Sequence, residues 1–368
     1  MVYVITSSDR ESFKRCRRAW DFGARARQNY QPIRSDGVFD FDRAIHDALA
    51  VYYYPGMWKW DRAIVVPLAM EGFSKSMRKQ RDHYLAAQKL SPKQEREWDA
   101  DLALGEDMLN RYFRWALRVD RFSPIRVETE FDVSIPDPRD ASRDLAFRGE
   151  AIRYRGWIDL LVTDQQDAYW LIDHRIVQDA WTSVDQMLLD ERSISYCWAW
   201  EKHFLGMKIA GVIYNELRRD YASRAPTGLS AFRAEDIERE ASIVTTKSVQ
   251  KVEPTLKDGD EFFRRTQVAR SRSALENQSR QLAFEALDMT NPQTRPYPNP
   301  SKDNCESCVY REPCVAMNEG SDATSILESC YRKRGEETFR RGRIGGGTWS
   351  VDRGAAPPRF DRDAPPYQ

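Results

Sequence analysis

The sequence predicts an α/β protein: a small mixed sheet flanked by helices, with a helical insertion ahead of the sheet and a cysteine-rich closure behind it. Three observations carry this expectation. Apolar residues recur at helical spacing up to about residue 120 and then switch to strict alternation over 126–135. Two apolar strands, 152–163 and 168–177, follow around the polar turn Asp164-Gln165-Gln166-Asp167. A tight group of cysteines at 305–314 comes after a Pro/Asn loop at 291–302.

Ser7, Ser8 and Asp9 offer N-caps for a helix over 7–30, in which Phe13, Cys16, Trp20 and Phe22 recur near helical spacing. Gly37 precedes a second helix, 39–54, carrying Phe41, Ile45, His46, Leu49 and Tyr53. Residues 58–120 are rich in Trp, Met and Leu and read as helical throughout, broken near Ser91-Pro92, so they form an inserted helical subdomain.

In 126–135, Val127, Phe131, Val133 and Ile135 alternate with Arg126, Glu128, Glu130 and Asp132, the pattern of a half-buried strand, and Pro136-Asp137-Pro138 stops it. After the 152–163 and 168–177 hairpin, 184–205 returns to helical spacing and 208–217 reads as a fourth strand. Helices are expected at 232–249 and 258–290, and the tail from about 340, with three consecutive glycines at 345–347, is expected to be disordered. The chain thus divides into N-terminal helices (1–57), insertion (58–120), core sheet and helix (121–220), C-terminal helices with the cysteine cluster (221–339) and tail (340–368).

With 368 residues, 41% hydrophobic and 31% charged, the chain has material for a substantial core under a polar surface. No run approaches the ~20 apolar residues of a membrane span. The first residues lack the basic-then-apolar pattern of a secretion signal, so a cytoplasmic location is expected. Charge balances at 57 basic and 57 acidic residues, against an overall basic nucleic-acid binder but not against a local arginine-lined groove. Six cysteines are too few for a disulfide scaffold and, in a reducing compartment, suit metal binding. Neither a Walker phosphate loop nor a dinucleotide glycine pattern occurs.

Asp159 and Asp173 are lone carboxylates in otherwise apolar strands. A hairpin turning around Gln166 sets them opposite or nearly opposite, with Cβ atoms about 5 Å apart. Two like charges so placed need a proton, a cationic side chain or a divalent ion between them. Arg175 is expected on the same face as Asp173, and Glu128 and Glu130 are near enough in pattern to join. Two readings follow: a structural salt bridge through Arg175, or a Mg²⁺ or Mn²⁺ site of oxygen ligands.

The order of these residues resembles the RecB-like branch of the PD-(D/E)XK nuclease superfamily. That branch shows a helix with a histidine, then Gly-x-(Ile/Val)-Asp, then Asp/Glu-x-Lys, then a helix bearing Gln-x3-Tyr. The matching residues are His46, Asp159 in Gly156-Trp157-Ile158-Asp159, Asp173 in Asp173-His174-Arg175, and Tyr196 in 192–196. The resemblance spans 7–315 and implies a restriction-endonuclease-like core. It implies metal ligation by His46, Asp159, Asp173 and the His174 carbonyl, with catalysis assisted by Arg175 and Tyr196. Its substrate is expected to be DNA, cut at single-stranded ends in recombination, repair or phage DNA metabolism, with a helicase or recombination partner supplying the motor. Arg175 stands where the branch has lysine and Arg192 where it has glutamine, which leaves open a catalytically degenerate nuclease-fold DNA-binding or assembly protein. Lys202, two turns beyond Arg192, is a candidate for a migrated ammonium.

Cys305, Cys308 and Cys314 form a spacing that selects zinc or iron–sulfur, with Cys16 or Cys330 as a fourth ligand, while Cys197 reads as core. One cysteine before the nuclease core and three after it resembles the [4Fe-4S] staple of AddB-type and CRISPR-associated RecB-like nucleases. The resemblance implies Cys16 as the fourth ligand and a structural cluster, with a Zn²⁺ knot as the alternative. Arg15, Arg17 and Arg18 beside Cys16, and Arg340, Arg341 and Arg343, are candidates to follow a phosphate backbone, as is Arg192.

Overall fold

The computed structural model describes residues 2–33, 39–86, 89–178, 180–219 and 261–335. Its central sheet has six strands: β1 (Val4–Ile5), β2 (Phe122–Ser134), β3 (Arg153–Asp164), β4 (Tyr169–Val177), β5 (Ile209–Arg218) and β6 (Phe263–Ala269). β3 is antiparallel to β2 and β4, β5 is parallel to β4, and β6 is antiparallel to β5. The sheet is therefore mixed, as expected.

Strand β3 forks. β2 runs along one edge of it from Arg153 to Asp164. On the other edge β1 pairs in parallel with Arg153 and Tyr154, while β4 pairs only with Leu160 to Thr163. Among the described residues, 155–159 have no ladder partner on that edge, and Asp159 sits at the point of divergence.

Helices cover both faces of the sheet. On one face, α1 (Ser7–Arg15), α6 (Glu191–His203) and α7 (Arg272–Thr290) bury Phe13, Tyr154, Ile158, Trp200 and Leu282 in a single core. On the other, α3 (Phe41–Tyr52), α4 (Arg62–Leu85) and α5 (Pro92–Val119) bury Leu49, Phe73, Tyr112, Leu160 and Val162. Ile158 and Leu160, two apart on one strand, thus lie in different cores, so the strand changes phase at Asp159. Local signals set the helix starts: Ser91 caps α5 by accepting from Gln94 N, with Pro92 at the first position. Gly105 lets α5 approach α4, since a Cβ there would stand 2.0 Å from Phe73 Cζ.

Two expectations are corrected. The single helix over 7–30 is two, α1 and α2 (Arg17–Gly23), because Cys16 is extended at φ −160° and breaks the run. The expected helix 258–290 is strand β6 followed by α7. Phe263, Thr266 and Val268 are buried, but Arg264 and Arg265 are held in ion pairs with Glu216 and Asp120, which hid the strand pattern. Between β2 and β3 lie two short strand pairs, Pro136–Asp137 with Asp140–Asp144 and Ala146–Phe147 with Glu150–Ala151. The expected helix 232–249 and the tail with Arg340, Arg341 and Arg343 lie outside the described residues.

The chain ends are tied together. Tyr30–Pro32 pairs with Tyr331–Lys333, and α8 (Arg311–Glu319) and α9 (Ala323–Cys330) complete a small core of Ala19, Phe22, Tyr310, Leu327 and Tyr331. No helix among the described residues is long and apolar enough to cross a membrane.

Candidate metal centre

Three side chains meet at the fork. Ala44, Ile45, Ala48 and Leu49 pin α3 into the helical core, which leaves His46 turned toward the sheet. The ladder on either side, Val127 with Leu160 and Thr129 with Ile158, sets Glu128 across from Asp159. Glu128 itself has φ +42°, a region that costs a non-glycine residue about 1–3 kcal/mol and persists where its surroundings fix it. His46 Nδ1 lies 3.6 Å from Asp159 Oδ1 and 3.8 Å from Glu128 Oε1, all three side chains being buried. One ligand atom from each residue falls within 4.8 Å of the others.

Two buried carboxylates at this separation repel unless a cation or proton joins them. One imidazole nitrogen with two carboxylates is a donor set that suits Mg²⁺ or Mn²⁺. The residues present fit such an ion. Asp159 Oδ2 meanwhile accepts the backbone N–H of His174 at 2.9 Å, so the carboxylate is oriented from the strand beside it.

Behind this centre runs a buried chain of hydrogen bonds. His174 Nδ1 lies 2.8 Å from Asn215 Nδ2, and Arg265 Nε donates to Asn215 Oδ1 at 3.0 Å. Arg265 continues to Asp120, to Tyr53 OH at 2.7 Å and to Tyr112 OH at 3.0 Å. Burial pushes His174 down to about 3, with Asp159 opposing and His46 and Arg265 reinforcing, so its ring is neutral.

The other expected residues are placed differently. Leu160 pairs with Ile172, the register expected of the hairpin, but the ladder stops there. Asp173 lies outside the three-residue cluster: Arg192 Nη2 holds Oδ1 at 2.5 Å and Arg175 Nε holds Oδ2 at 2.6 Å. Burial alone raises an aspartate, but here Arg192 and Arg175 outweigh it and hold Asp173 well below the usual carboxylate range. Arg175 is further bound to Asp190 and lies 4.4 Å over the Tyr214 ring. The Asp173–Arg175 part of the expected cluster is thus an ion-pair network, because two guanidiniums satisfy both carboxylate oxygens. Glu130 pairs with Arg155 at 3.4 Å, and Lys202 faces Asp144 at 4.0 Å on the surface.

Tyr196 packs on Phe131, with centroids 4.9 Å apart, and its hydroxyl is 3.1 Å from Ser7 Oγ. It lines a cavity of about 310 Å³ that also includes Asp159, Asp173 and Arg192. A second cavity, of about 370 Å³, is lined by His46, His174, Arg175 and again Arg192. Sequence reasoning missed Asn215, Arg265, Asp120 and Asp190. A polar pair, Asn215-Glu216, inside a strand buried almost throughout was the available signal for the first.

At the closure, Cys16, Cys308 and Cys314 pack against the same small core, and Cys305 O accepts the Cys308 N–H at 3.3 Å. Burial raises the Cys308 thiol, with Cys16 and Cys314 beside it adding to the effect. Cys330 is exposed and Cys197 is buried, its thiol pushed up to about 12 by burial. Arg17 stacks on Phe13 and Tyr297, and Arg18 reaches Asn318 Oδ1 at 2.8 Å and Cys314 O at 3.4 Å, so both brace the closure; Arg15 is exposed.

A mixed sheet forked over a buried imidazole–carboxylate cluster, with arginines in the adjoining cavity, can hold a divalent metal beside an anionic ligand. The description of the PD-(D/E)XK nuclease superfamily matches residues 5–315, and the chain belongs to that superfamily. Nucleases of this superfamily use divalent metals, which the His46, Glu128 and Asp159 cluster suits. No curated protein matches the chain.

Proposed function

We propose that the protein is a metal-dependent deoxyribonuclease of the RecB-like branch, acting on single-stranded ends as an exonuclease. The observation that supports this most is the convergence of His46, Glu128 and Asp159 at the strand fork. His46, Glu128 and Asp159 would hold a divalent ion, which would supply Lewis acidity toward the scissile phosphodiester. The His174 N–H fixes Asp159 so that its other oxygen stays toward the centre. Arg175 and Arg192 keep positive charge beside the cavity, anchored by Asp173 before substrate arrives, so little reorganisation is needed when phosphate charge builds. In the hydrolysis, water oxygen bonds to phosphorus, the P–O ester bond breaks, and the leaving alcohol takes the proton. Tyr196 lines the cavity wall through Ser7.

Cys16, Cys305, Cys308 and Cys314 are proposed to hold a structural [4Fe-4S] cluster. Cys16, Cys308 and Cys314 lie against one small core and Cys305 is tied to Cys308 by a backbone hydrogen bond, which supports a shared metal group, with Zn²⁺ as the alternative. Recombination, repair or phage DNA metabolism, with a partner motor, is the proposed setting.

A second reading, a degenerate nuclease fold that binds DNA, is favoured by one observation: both Asp173 oxygens and the Arg175 guanidinium are engaged with each other and their neighbours. Incubating the purified protein with labelled single-stranded DNA and Mn²⁺ separates the two. Cleavage lost in Asp159→Asn supports the nuclease. Binding without cleavage in Mg²⁺ or Mn²⁺ supports the second reading.

A further inference from the structure

The two long helices of the insertion expose a patterned face that neither the metal centre nor the cysteine closure uses. Helix α5 runs for 28 residues, and its polar side chains are sorted by charge. Over 92–107 it carries six acids, Glu95, Glu97, Asp99, Asp101, Glu106 and Asp107, against Lys93 and Arg96. From 108 to the strand junction at 121 the order reverses. Arg111, Arg114, Arg118 and Arg121 stand there against Asp120, which is buried and bound to Arg265. The helix macrodipole favours acids in the first turn and bases in the last, but its effect does not reach the middle of a helix this long. Contacts within the helix use these charges only weakly. Lys93 with Glu97, at 3.7 Å, and Arg111 with Asp107, at 3.5 Å, are exposed pairs of the kind that contribute little.

Exposed apolar side chains lie beside the basic half. Helices α4 and α5 are antiparallel, with their register set by three contacts. Gln94 Nε2 donates to Tyr84 OH at 3.0 Å, Ser74 Oγ donates to Glu106 at 3.5 Å, and Phe73 packs on Gly105. That register brings Ile64 near the level of Arg114 and Leu68 near that of Asn110. Trp60, Ile64 and Leu68 recur at intervals of four and are 51%, 53% and 43% exposed, while Leu117 on α5 is 51% exposed. On the acidic half of α5, the exposed positions among the acids are the small residues Ala100 and Ala103.

We propose that this face binds a second copy of the chain, with the two α5 helices antiparallel across a two-fold axis level with Met108 and Leu109. A surface that is acidic at one end and basic at the other matches itself when inverted, as a two-fold contact requires. With the axis there, Arg118 comes opposite Asp99, Leu117 opposite Ala100 and Arg114 opposite Ala103, all exposed positions. Opposite charges then meet, and the large apolar side chain meets a small one. At the ends Arg121 meets Glu97, with Arg96 beside it as an unfavourable neighbour. A nucleic-acid backbone suits the basic half but is repelled by the acidic one, and an acidic protein leaves the acids unmatched. The inference is independent of the metal centre and stands whatever that centre hydrolyses.

Sedimentation velocity on the full chain, over a range of concentrations and without added metal, reads the outcome. The parent is expected to move from one to two protomer masses as concentration rises, and to dissociate at about 1 M salt, where the Debye length is about 3 Å. Two charge-reversed variants follow, Arg114→Glu with Arg118→Glu, and Asp99→Lys with Asp107→Lys. All four positions are exposed, so unchanged urea midpoints are expected to show that both variants fold. Each variant alone is expected to stay monomeric, because both halves of its α5 then carry one sign. Mixed in equal amounts, the two are expected to form a dimer of one chain of each kind. A parent that stays monomeric at every concentration, a dimer indifferent to both reversals, or a mixture that stays monomeric each overturns the proposal.

Discussion

Asn215 Nδ2 lies 2.8 Å from His174 Nδ1, and the direction of that bond is set from outside the pair. Arg265 has only donors and its Nε points at Asn215 Oδ1. Asn215 therefore turns its NH₂ to His174, whose Nδ1 accepts, and the neutral ring carries its proton on Nε2. A guanidinium on β6 thus fixes the tautomer of a histidine whose backbone orients Asp159 on β3.

Asn215→Leu breaks that chain and strands a buried guanidinium Nε and a buried imidazole nitrogen. The expected loss is about 2–4 kcal/mol in urea unfolding, from the two unsatisfied groups together. Mn²⁺ affinity is expected to fall ~10-fold as well, as for other outer-shell partners of metal ligands. A stability loss with unchanged Mn²⁺ affinity would separate the chain from the centre.

Asp173→Ala removes the acceptor shared by Arg175 and Arg192. Arg175 keeps Asp190 but Arg192 loses its carboxylate, so the variant is expected to be destabilised by about 1–3 kcal/mol. Arg192→Gln instead frees one Asp173 oxygen beside the centre, and Mn²⁺ binding is expected to tighten. Calorimetric titration of Mn²⁺ into both variants checks the pair; weaker binding in Arg192→Gln contradicts the assignment of Arg192 as the group that withholds Asp173 from metal.

A pH-dependent contribution comes from the far side of the sheet. Buried Arg10 donates to Glu285 at 2.5 Å, with Lys14 at 2.7 Å, tying α1 to α7. Burial alone raises Glu285, but Arg10 and Lys14 outweigh it and hold the carboxyl below its ordinary value. A lowered folded-state value means stability that is fully present above the unfolded value of about 4.3 and lost as pH falls through the folded one. Glu285→Gln is therefore expected to cost about 3–5 kcal/mol at neutral pH, and progressively less as pH falls below ~4. Urea midpoints taken at pH 7 and pH 3.5 test this; a constant difference rules out the ion pair as its source.

Cys16→Ser and Cys308→Ser are each expected to abolish iron and sulfide retention on anaerobic purification, while Cys197→Ser, inside the main core, leaves both unchanged. Metal and acid-labile sulfide analysis reads the outcome. Zinc without sulfide in the parent protein replaces the cluster with the knot.

Where local chemistry and long-range packing agree, the sequence was readable. The turn at 164–167 set the register of β3 and β4, and the α3 pattern put His46 next to core positions 45 and 49. Composition hid the rest. Arg264 and Arg265 look like a helix surface until Glu216 and Asp120, from distant segments, are seen to neutralise them. Glu128 reads as one of three outward acids on β2, and only its left-handed backbone and the phase change at Asp159 single it out. Asp173 and Asp159 look equivalent in sequence. Which one binds cations of the protein and which faces His46 depends on Arg192, a helix away, and no strand pattern encodes that.

The most direct measurement is Mn²⁺ titration and cleavage of labelled single-stranded DNA on the same samples of the parent protein, Glu128→Gln and Asp159→Asn. With His46, Glu128 and Asp159 as ligands, the parent binds Mn²⁺ and cleaves, and each variant loses more than about 100-fold in Mn²⁺ affinity, beyond what outer-shell partners are worth, together with its cleavage. Parent-like Mn²⁺ binding or cleavage in Asp159→Asn contradicts it.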